Sequence, residues 1–424
     1  MRPLPRRRVR VAVTCAGEPR VTASTSPLPE GKPPLPRAVW LLGWVSLATD
    51  AATEAVYPLL PFFLTQVLGA TALSLGIVEG AAEAVNSLVK LWSGRVADRR
   101  PRKQPLVLVG YAISSLLRPL IALARAWPAV LAVRVADRIG KGIRSAPRDA
   151  ILAASATPST RGRVFGFHQG MDHLGAVLGP LLATAFLWWW PGSYRTLFAL
   201  TIIPGLVAVG LLFFVREGET QPAQGPASSP ASALDGSGAV ADAPTIPREL
   251  RAFFIVLALF TLGNSTDAFL LLRLTEAAGS ARFIPLIWAA LHVVKAAASM
   301  FGGDWSDRIG RRRVIALGWL VYAVVYAGFA VSQSLASLVT WFLIYGLYFG
   351  FTEGTEKALV ADLAPAAIRG ETFGVYNALT GLGALAASVV FGLLWTAFGP
   401  AAAFGTGSAL ALAATGLLFV VVRR

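Results

Sequence analysis

Ionisable side chains interrupt the long apolar runs of this sequence at spacings of three and four residues. Asp50 and Glu54 are four apart, and Glu79, Glu83, Asn86 and Lys90 follow one another at steps of four, three and four. Arg134, Asp137, Arg138 and Lys141 fill about two turns, and Arg118, Asp172, Asp267, Lys295, Glu353, Glu356 and Lys357 complete the set. On a helix such spacings put side chains on one face. A charge in hydrocarbon costs at least a few kcal/mol, so each of these groups must meet a partner or a water-filled cavity. Two kinds of chemistry are open to them: ion pairs that fix helix register, expected for about half, and carboxyl groups that bind and release a proton as their surroundings change.

Other chemistries lack their residues. A membrane-embedded lipid enzyme would need a nucleophile with a positioned base or a metal set, and ATP-driven pumping would need a phosphate-binding loop. The sequence has no Gly-Ser nucleophile elbow, no helical His-x3-His and no nucleotide loop. Its single cysteine, Cys15, and three histidines, His168, His173 and His292, leave no metal cage to expect. No catalytic residue and no cofactor are expected, and a proton gradient is the expected energy source.

The elements that must carry these groups follow from composition. Of 424 residues, 55% are apolar and 14% charged, so the solvent is largely lipid. A crossing needs roughly 20 apolar residues, and the runs are continuous rather than alternating, which excludes an outer-membrane barrel. Helices are expected near 38–68, 73–92, 105–124, 128–148, 164–190 and 196–215, and again near 250–272, 283–302, 314–331, 337–359, 372–397 and 400–422. The domain plan is a basic tail at 1–37 with no signal-peptide core, a six-helix bundle at 38–216, a Pro/Ala/Gly/Ser-rich linker at 217–248 and a second six-helix bundle at 249–424.

Charge placement orients the plan. The net charge is +15, with Lys and Arg crowded at the amino terminus, at 95–103, 141–163 and 308–313, and at the carboxyl end. Alternate loops hold little beyond Arg125, Arg195 and Arg282. This positive-inside pattern predicts both termini in the cytoplasm of a cell whose inner membrane holds the protein, and the apolar runs between the charges exclude nucleic acid as a partner. Lipid, a small solute and protons are the expected partners of a monomer. Trp188, Trp189 and Trp190, just before Pro191, read as an outer interfacial belt.

The halves repeat. GRVADRRPRK from Gly94 recurs as GDWSDRIGRRR from Gly303, a shift of 209 residues, and RGRVFG from Arg161 recurs as RGETFG from Arg369, a shift of 208. Each motif falls after an even-numbered helix of its half, so the repeats share one orientation and an axis along the membrane normal relates them.

Gly94, Asp98, Arg99, Arg102 and Lys103 resemble the loop signature of the major facilitator superfamily, G-x-x-x-D-R-x-x-R-K. Gly303, Asp307, Arg308, Gly310, Arg311 and Arg312 are similar to the same signature, with the glycine that Pro101 displaces in the first copy. The glycine would allow close helix approach, and the Asp would cap a helix and pair with Arg as a cytoplasmic latch. Gly166, Gly175, Gly179 and Pro180 resemble the G-x8-G-x3-G-P signature of the superfamily's antiporter branch, departing where Ala183 and Thr184 replace two glycines. The resemblance spans about residues 38–422. It implies an all-α membrane protein of about twelve transmembrane helices in two six-helix bundles related by a pseudo-twofold axis, with the first, fourth, seventh and tenth helices lining a central cavity. Asp50, Glu54, Asp137, Asp267, Glu353 and Glu356 are then the favoured cavity groups, with Glu79 and Glu83 next; Arg134 or Arg138 would match an arginine linked to proton movement. The implied activity is alternating-access transport, with proton-coupled antiport, hence efflux, as the leading form. Proton-linked uptake of a metabolite or anion held by Arg118, Arg134 or Arg138 is the alternative. A non-transporting sensor and a lipid enzyme are alternatives from other classes.

Overall fold

The computed structural model describes residues 35–100, 102–156, 161–215, 246–365 and 368–421, which are helical with no strand among them. The expected tail and linker fall almost wholly outside the described residues. Twelve helical passes succeed one another. They are α1 (Arg37–Val56, continued to residue 67), α2 (Ala72–Asp98), α3 (Gln104–Leu117, continued to 123), α4 (Trp127–Ala154), α5 (Arg161–Trp189) and α6 (Tyr194–Leu200 with Ile202–Leu212). The second six are α7 (Arg248–Gly263 with Ala268–Ala278), α8 (Ile284–Ile309), α9 (Arg311–Val331), α10 (Leu335–Leu363), α11 (Arg369–Phe398) and α12 (Pro400–Val421). Among the described residues nine passes are long and apolar enough to cross a membrane, and α1, α4 and α8 are the others. In α4 the reason is visible in the sequence, since it carries Arg134, Asp137, Arg138, Lys141, Arg144, Arg148 and Asp149.

The internal repeat is also a repeat of packing. Within the first half α1 packs on α5 and α6, α2 on α4, and α3 on α4 and α6. Within the second half α7 packs on α11 and α12, α8 on α10, and α9 on α10 and α12. The main contacts between the halves are α2 with α11 and α5 with α8, which exchange under the same six-helix shift. A twofold relation between two six-helix bundles, with its axis along the helices, accounts for all of these pairings. Successive passes alternate in direction, so one face of the bundle (the first face) carries the α2–α3 and α8–α9 turns. The opposite face (the second) carries the turns near residues 70, 125, 191, 280 and 333. Trp188, Trp189 and Trp190 are exposed there.

The helix expected to run unbroken over 250–272 is in fact discontinuous, because α7 opens between Asn264 and Asp267. Backbone freed inside a membrane must be re-satisfied by protein. Tyr322 donates to the Gly263 carbonyl at 2.9 Å, and the Thr266 amide donates to Ser388 Oγ at 3.3 Å. Asn264 donates to Tyr348 Oη at 3.0 Å, and Ser265 and Tyr326 share a hydrogen bond of 3.1 Å. In α1, Pro58 and Pro61 lack amide hydrogens, and the helix tightens at Tyr57–Leu59 and widens at Phe63–Val67.

Candidate functional site

A cavity of about 540 Å³ lies between the halves. Its walls come from α1 and α2, α4, the break in α7, α8, α10 and α11. Of the ten ionisable groups singled out in the sequence, Glu54, Glu79, Glu83, Arg138, Asp267 and Glu353 line it. Asp50, Arg134, Asp137 and Glu356 do not, and each departure has a physical cause.

Arg134 and Asp137 are consumed in a buried ion-pair chain. Arg134 grips Glu79 with two parallel bonds, Nε to Oε1 at 2.9 Å and Nη2 to Oε2 at 2.6 Å. Its Nη1 is 3.8 Å from Asp137 Oδ2, whose Oδ1 accepts from Arg118 Nη2 at 3.0 Å. All four side chains are at most 5% exposed. Two cations against two carboxylates, with the Arg134–Glu79 pair bidentate, tie α2, α3 and α4 together. Neither Arg118 nor Arg134 is therefore available to hold an anion. Arg138 is: it follows Asp137 by one residue, is turned into the cavity, and has no carboxylate within ion-pair distance among the described residues. Lys141, one turn further on, and Lys295 across the cavity are in the same condition, with the Lys295 ammonium 3.5 Å from the centre of the Phe349 ring.

Glu356 faces the interior of the second half, accepting hydrogen bonds from Trp319 Nε1 at 2.9 Å and Tyr376 Oη at 3.1 Å. Asp267 stands at the α7 break and accepts from Tyr345 Oη at 2.7 Å. Glu353 lies one turn from Lys357, at 3.8 Å, and both are more than half exposed.

Glu54 bridges the halves. Its Oε2 accepts from Trp288 Nε1 of α8 at 2.8 Å and lies 3.8 Å from His292 Nε2. Beside it Tyr57 packs against Trp288 with ring centres 5.1 Å apart and shares a hydrogen bond of 3.3 Å with Thr266. Nearer the second face Arg282 lies over Trp188, 4.3 Å from its ring centre, and donates to the Trp188 carbonyl at 3.2 Å. These contacts join the two halves on the second-face side of the cavity. The sequence singled out neither His292 nor the α7 break as functional. The run Gly263-Asn264-Ser265-Thr266-Asp267, turn-forming and polar within an apolar stretch, was the signal that marks the break.

Asp50, expected to share a face with Glu54, is turned instead toward α5, where Gly175 and Gly179 admit the α1 backbone. A Cβ on Gly175 would lie 2.6 Å from the Leu47 carbonyl, and one on Gly179 would collide with the Ala51 carbonyl. Gly166 does not share that role, since nothing lies within 4 Å of its would-be Cβ. Pro180, the fourth member of the motif, is buried inside α5. Gly94 is likewise no close-approach glycine, because its would-be Cβ would be 3.7 Å from its nearest neighbour, ordinary contact.

In the loop motifs the side chains of Asp98 and Asp307, and the packing around Gly303, lie outside what the structure describes. Arg99, Arg102 and Arg308 are exposed. Arg311 donates to Ser306 Oγ at 2.6 Å and to Asp362 Oδ2 at 3.2 Å, joining the start of α9 to the ends of α8 and α10.

Two bundles, a shared axis and a polar central cavity define a membrane carrier. The family profile described as Major Facilitator Superfamily matches residues 42–291 and 253–424, and the chain belongs to that superfamily. It is 32% identical over 92% of its length, and 95% of the relative's, to an uncharacterized MFS-type transporter of Methanocaldococcus jannaschii. It is 25% identical to the multidrug resistance protein MdtH of Cronobacter sakazakii over 75% of this chain and 77% of that one. The solved nucleoside transporter NupG superposes with a TM-score of 0.74 at 12% identity, over 92% of this chain and all of the other, a likeness of fold. The chain is thus a multi-pass transporter of a small solute rather than an enzyme.

Proposed function

We propose that this transporter exchanges protons for its solute, exporting the solute across the cytoplasmic membrane with both termini and the first face in the cytoplasm. The observation that carries the reading is the position of Glu54. A carboxylate of one half holds an indole and faces an imidazole of the other, at the cavity wall where the halves meet. Protonating it removes the charge that strengthens the Trp288 bond, and a solute entering the cavity competes for the same group. Proton and solute then exclude each other, as antiport requires. The likeness to MdtH, a multidrug resistance protein, supports export as the direction.

The test is transport in everted membrane vesicles. An imposed pH gradient, acid inside, should drive accumulation of the exported compound, found by screening drugs and metabolites, and Glu54→Gln should abolish the dependence on the gradient. Accumulation indifferent to the gradient would defeat the reading.

A second reading is uptake of a small organic anion, favoured by Arg138, Lys141 and Lys295, three cavity cations with no carboxylate within ion-pair distance among the described residues. Gradient-driven movement of anions only, in the opposite sense, would establish it instead.

A further inference from the structure

Outside the central cavity the first half contains a second polar recess, of about 370 Å³, between the first-face ends of α4 and α5. Arg148 and Asp149 of α4 and His168, Gln169 and Asp172 of α5 form its polar wall. His168 is 4% exposed, and its buried Nε2 has no hydrogen-bond partner, while Nδ1 lies 3.6 Å from Asp172 Oδ2. A nine-tenths buried imidazole with one nitrogen unused is a group placed for something other than packing.

Asp172 leads from this recess to Asp50. Ser46 of α1 donates to Asp172 Oδ1, and Asp50 follows Ser46 by one turn on the same helix face. Gly175, just under one turn beyond Asp172, has the Asp50 Cβ 3.1 Å from where its own Cβ would be. The two carboxyl groups therefore lie along one tightly packed seam. Asp50 makes no hydrogen bond or ion pair among the described residues, and the charged groups acting on it are Asp172 of α5, Lys141 and Arg144 of α4 and Glu54 on its own helix. Those acting on His168 are Arg148, Asp149 and Asp172. Lys141 in turn lines the central cavity. A row of ionisable groups thus runs from the side recess to the cavity wall without using the solute space.

We infer that Asp50 and Asp172 form a second proton site, one helical turn from Glu54 and feeding it, loaded and emptied at the first face through His168 and the side recess, apart from the place where the solute binds. The inference rests on the antiport reading. Two neighbouring carboxylates with two cations beside them accommodate one exchangeable proton. In the loaded state one carboxyl keeps its hydrogen. In release that proton passes to the His168 imidazole and from there to water in the recess, leaving a carboxylate faced by Lys141 and Arg144. No other atom changes bonding.

The proton itself is the probe. Infrared difference spectra of the purified full-length protein carrying Glu54→Gln, which removes the cavity carboxyl, taken across a pH jump with no solute present, should show the carbonyl stretch of a protonated carboxyl that disappears as pH rises. Asp50→Asn and Asp172→Asn should each remove that signal, His168→Gln should keep it but slow its response at least tenfold, and replacing choline by sodium should leave it unchanged. Survival of the signal in both aspartate variants, a response in His168→Gln as fast as wild type, or displacement by sodium would each overturn the inference. Should an asparagine variant fail to elute as a folded monodisperse species, Asp50→Glu and Asp172→Glu, which keep the carboxyl, must shift the midpoint of the signal; an unmoved midpoint counts against the site. Vesicle flux separates this inference from the reading beneath it. Gradient-driven flux that falls at least tenfold in both asparagine variants supports it, and flux within twofold of wild type in both overturns it. If wild-type flux ignores the gradient, the antiport reading falls while the spectra still decide the proton site.

Discussion

Glu54 and Trp288 come from opposite halves of the molecule and meet in a hydrogen bond of 2.8 Å at the wall of the cavity. Trp288 is 3% exposed and also packs against Tyr57, His292 and Phe342. A hydrogen bond to a charged group contributes about 1.5–3 kcal/mol, comparable to the free-energy gap between the states of a two-state element. One such contact at the seam can therefore bias which side of the carrier is open.

Trp288→Phe should keep most of the ring packing while deleting the donor. With Cys15→Ser as background, a thiol introduced by Thr266→Cys should react with an impermeant maleimide from the second face several-fold faster in Trp288→Phe than with Trp288 intact. Equal labelling rates would mean that ring packing alone holds this end shut.

The fifth-helix glycines make a sharper distinction than their shared motif suggests. Gly179→Ala forces a methyl group into the Ala51 carbonyl and should destabilise the protein by about 1–3 kcal/mol, the cost of overpacking. Gly166→Ala meets open space and should not lower the unfolding temperature. Detergent thermal denaturation of the two variants checks both; since Ala is the better helix former, helix propensity would raise both unfolding temperatures, and a gain in Gly179→Ala equal to that in Gly166→Ala would mean that the close approach to Ala51 does not govern this segment.

That contrast shows what was legible in the sequence. Twelve passes, two halves and the family were readable, because apolar length and charge asymmetry follow from the bilayer as solvent and a 208–209-residue repeat relates the two halves within the sequence itself. The cavity was readable only in part. Spacing put Asp50 and Glu54 on one face, but a face spans a wide arc, and the packing of α5 against α1 takes Asp50 toward Asp172 while Glu54 reaches α8. Likewise Arg134 and Arg138 are indistinguishable as letters. Only the approach of Glu79 from α2, 55 residues away in sequence, makes one a structural partner and leaves the other facing the cavity. Contacts of that range leave no trace in local periodicity.

The Arg134–Glu79 pair predicts a non-additive stability effect. Glu79→Gln leaves a buried guanidinium short of its counter-charge and should lose about 3–5 kcal/mol. The double variant Glu79→Leu with Arg134→Leu removes both charges and should recover most of that loss. Measured by thermal unfolding in detergent, the two losses should differ clearly. A double variant at least as unstable as the single would show that the pair contributes net stability beyond charge compensation.

The last prediction separates cavity from scaffold within one row of arginines. Arg118 is 4% exposed, its guanidinium spent on Asp137 and, at 3.5 Å, on the Thr49 carbonyl. Arg138 is 7% exposed, lines the cavity and has no carboxylate within ion-pair distance among the described residues. Removing the first leaves Asp137, in a dry interior between three helices, only its 3.8 Å contact with Arg134, whereas removing the second takes a charge from the cavity wall. Arg118→Gln should therefore lower the unfolding temperature sharply and reduce flux only through loss of folded protein. Arg138→Gln should unfold close to the wild-type temperature yet lose at least tenfold in flux per folded molecule, with Lys141→Gln behaving in the same way. Fluorescence size-exclusion thermostability and vesicle flux, measured on the same preparations, provide both numbers. If Arg138→Gln unfolds as early as Arg118→Gln, Arg138 belongs to the scaffold, and the cavity's positive charge must be carried by Lys141 and Lys295.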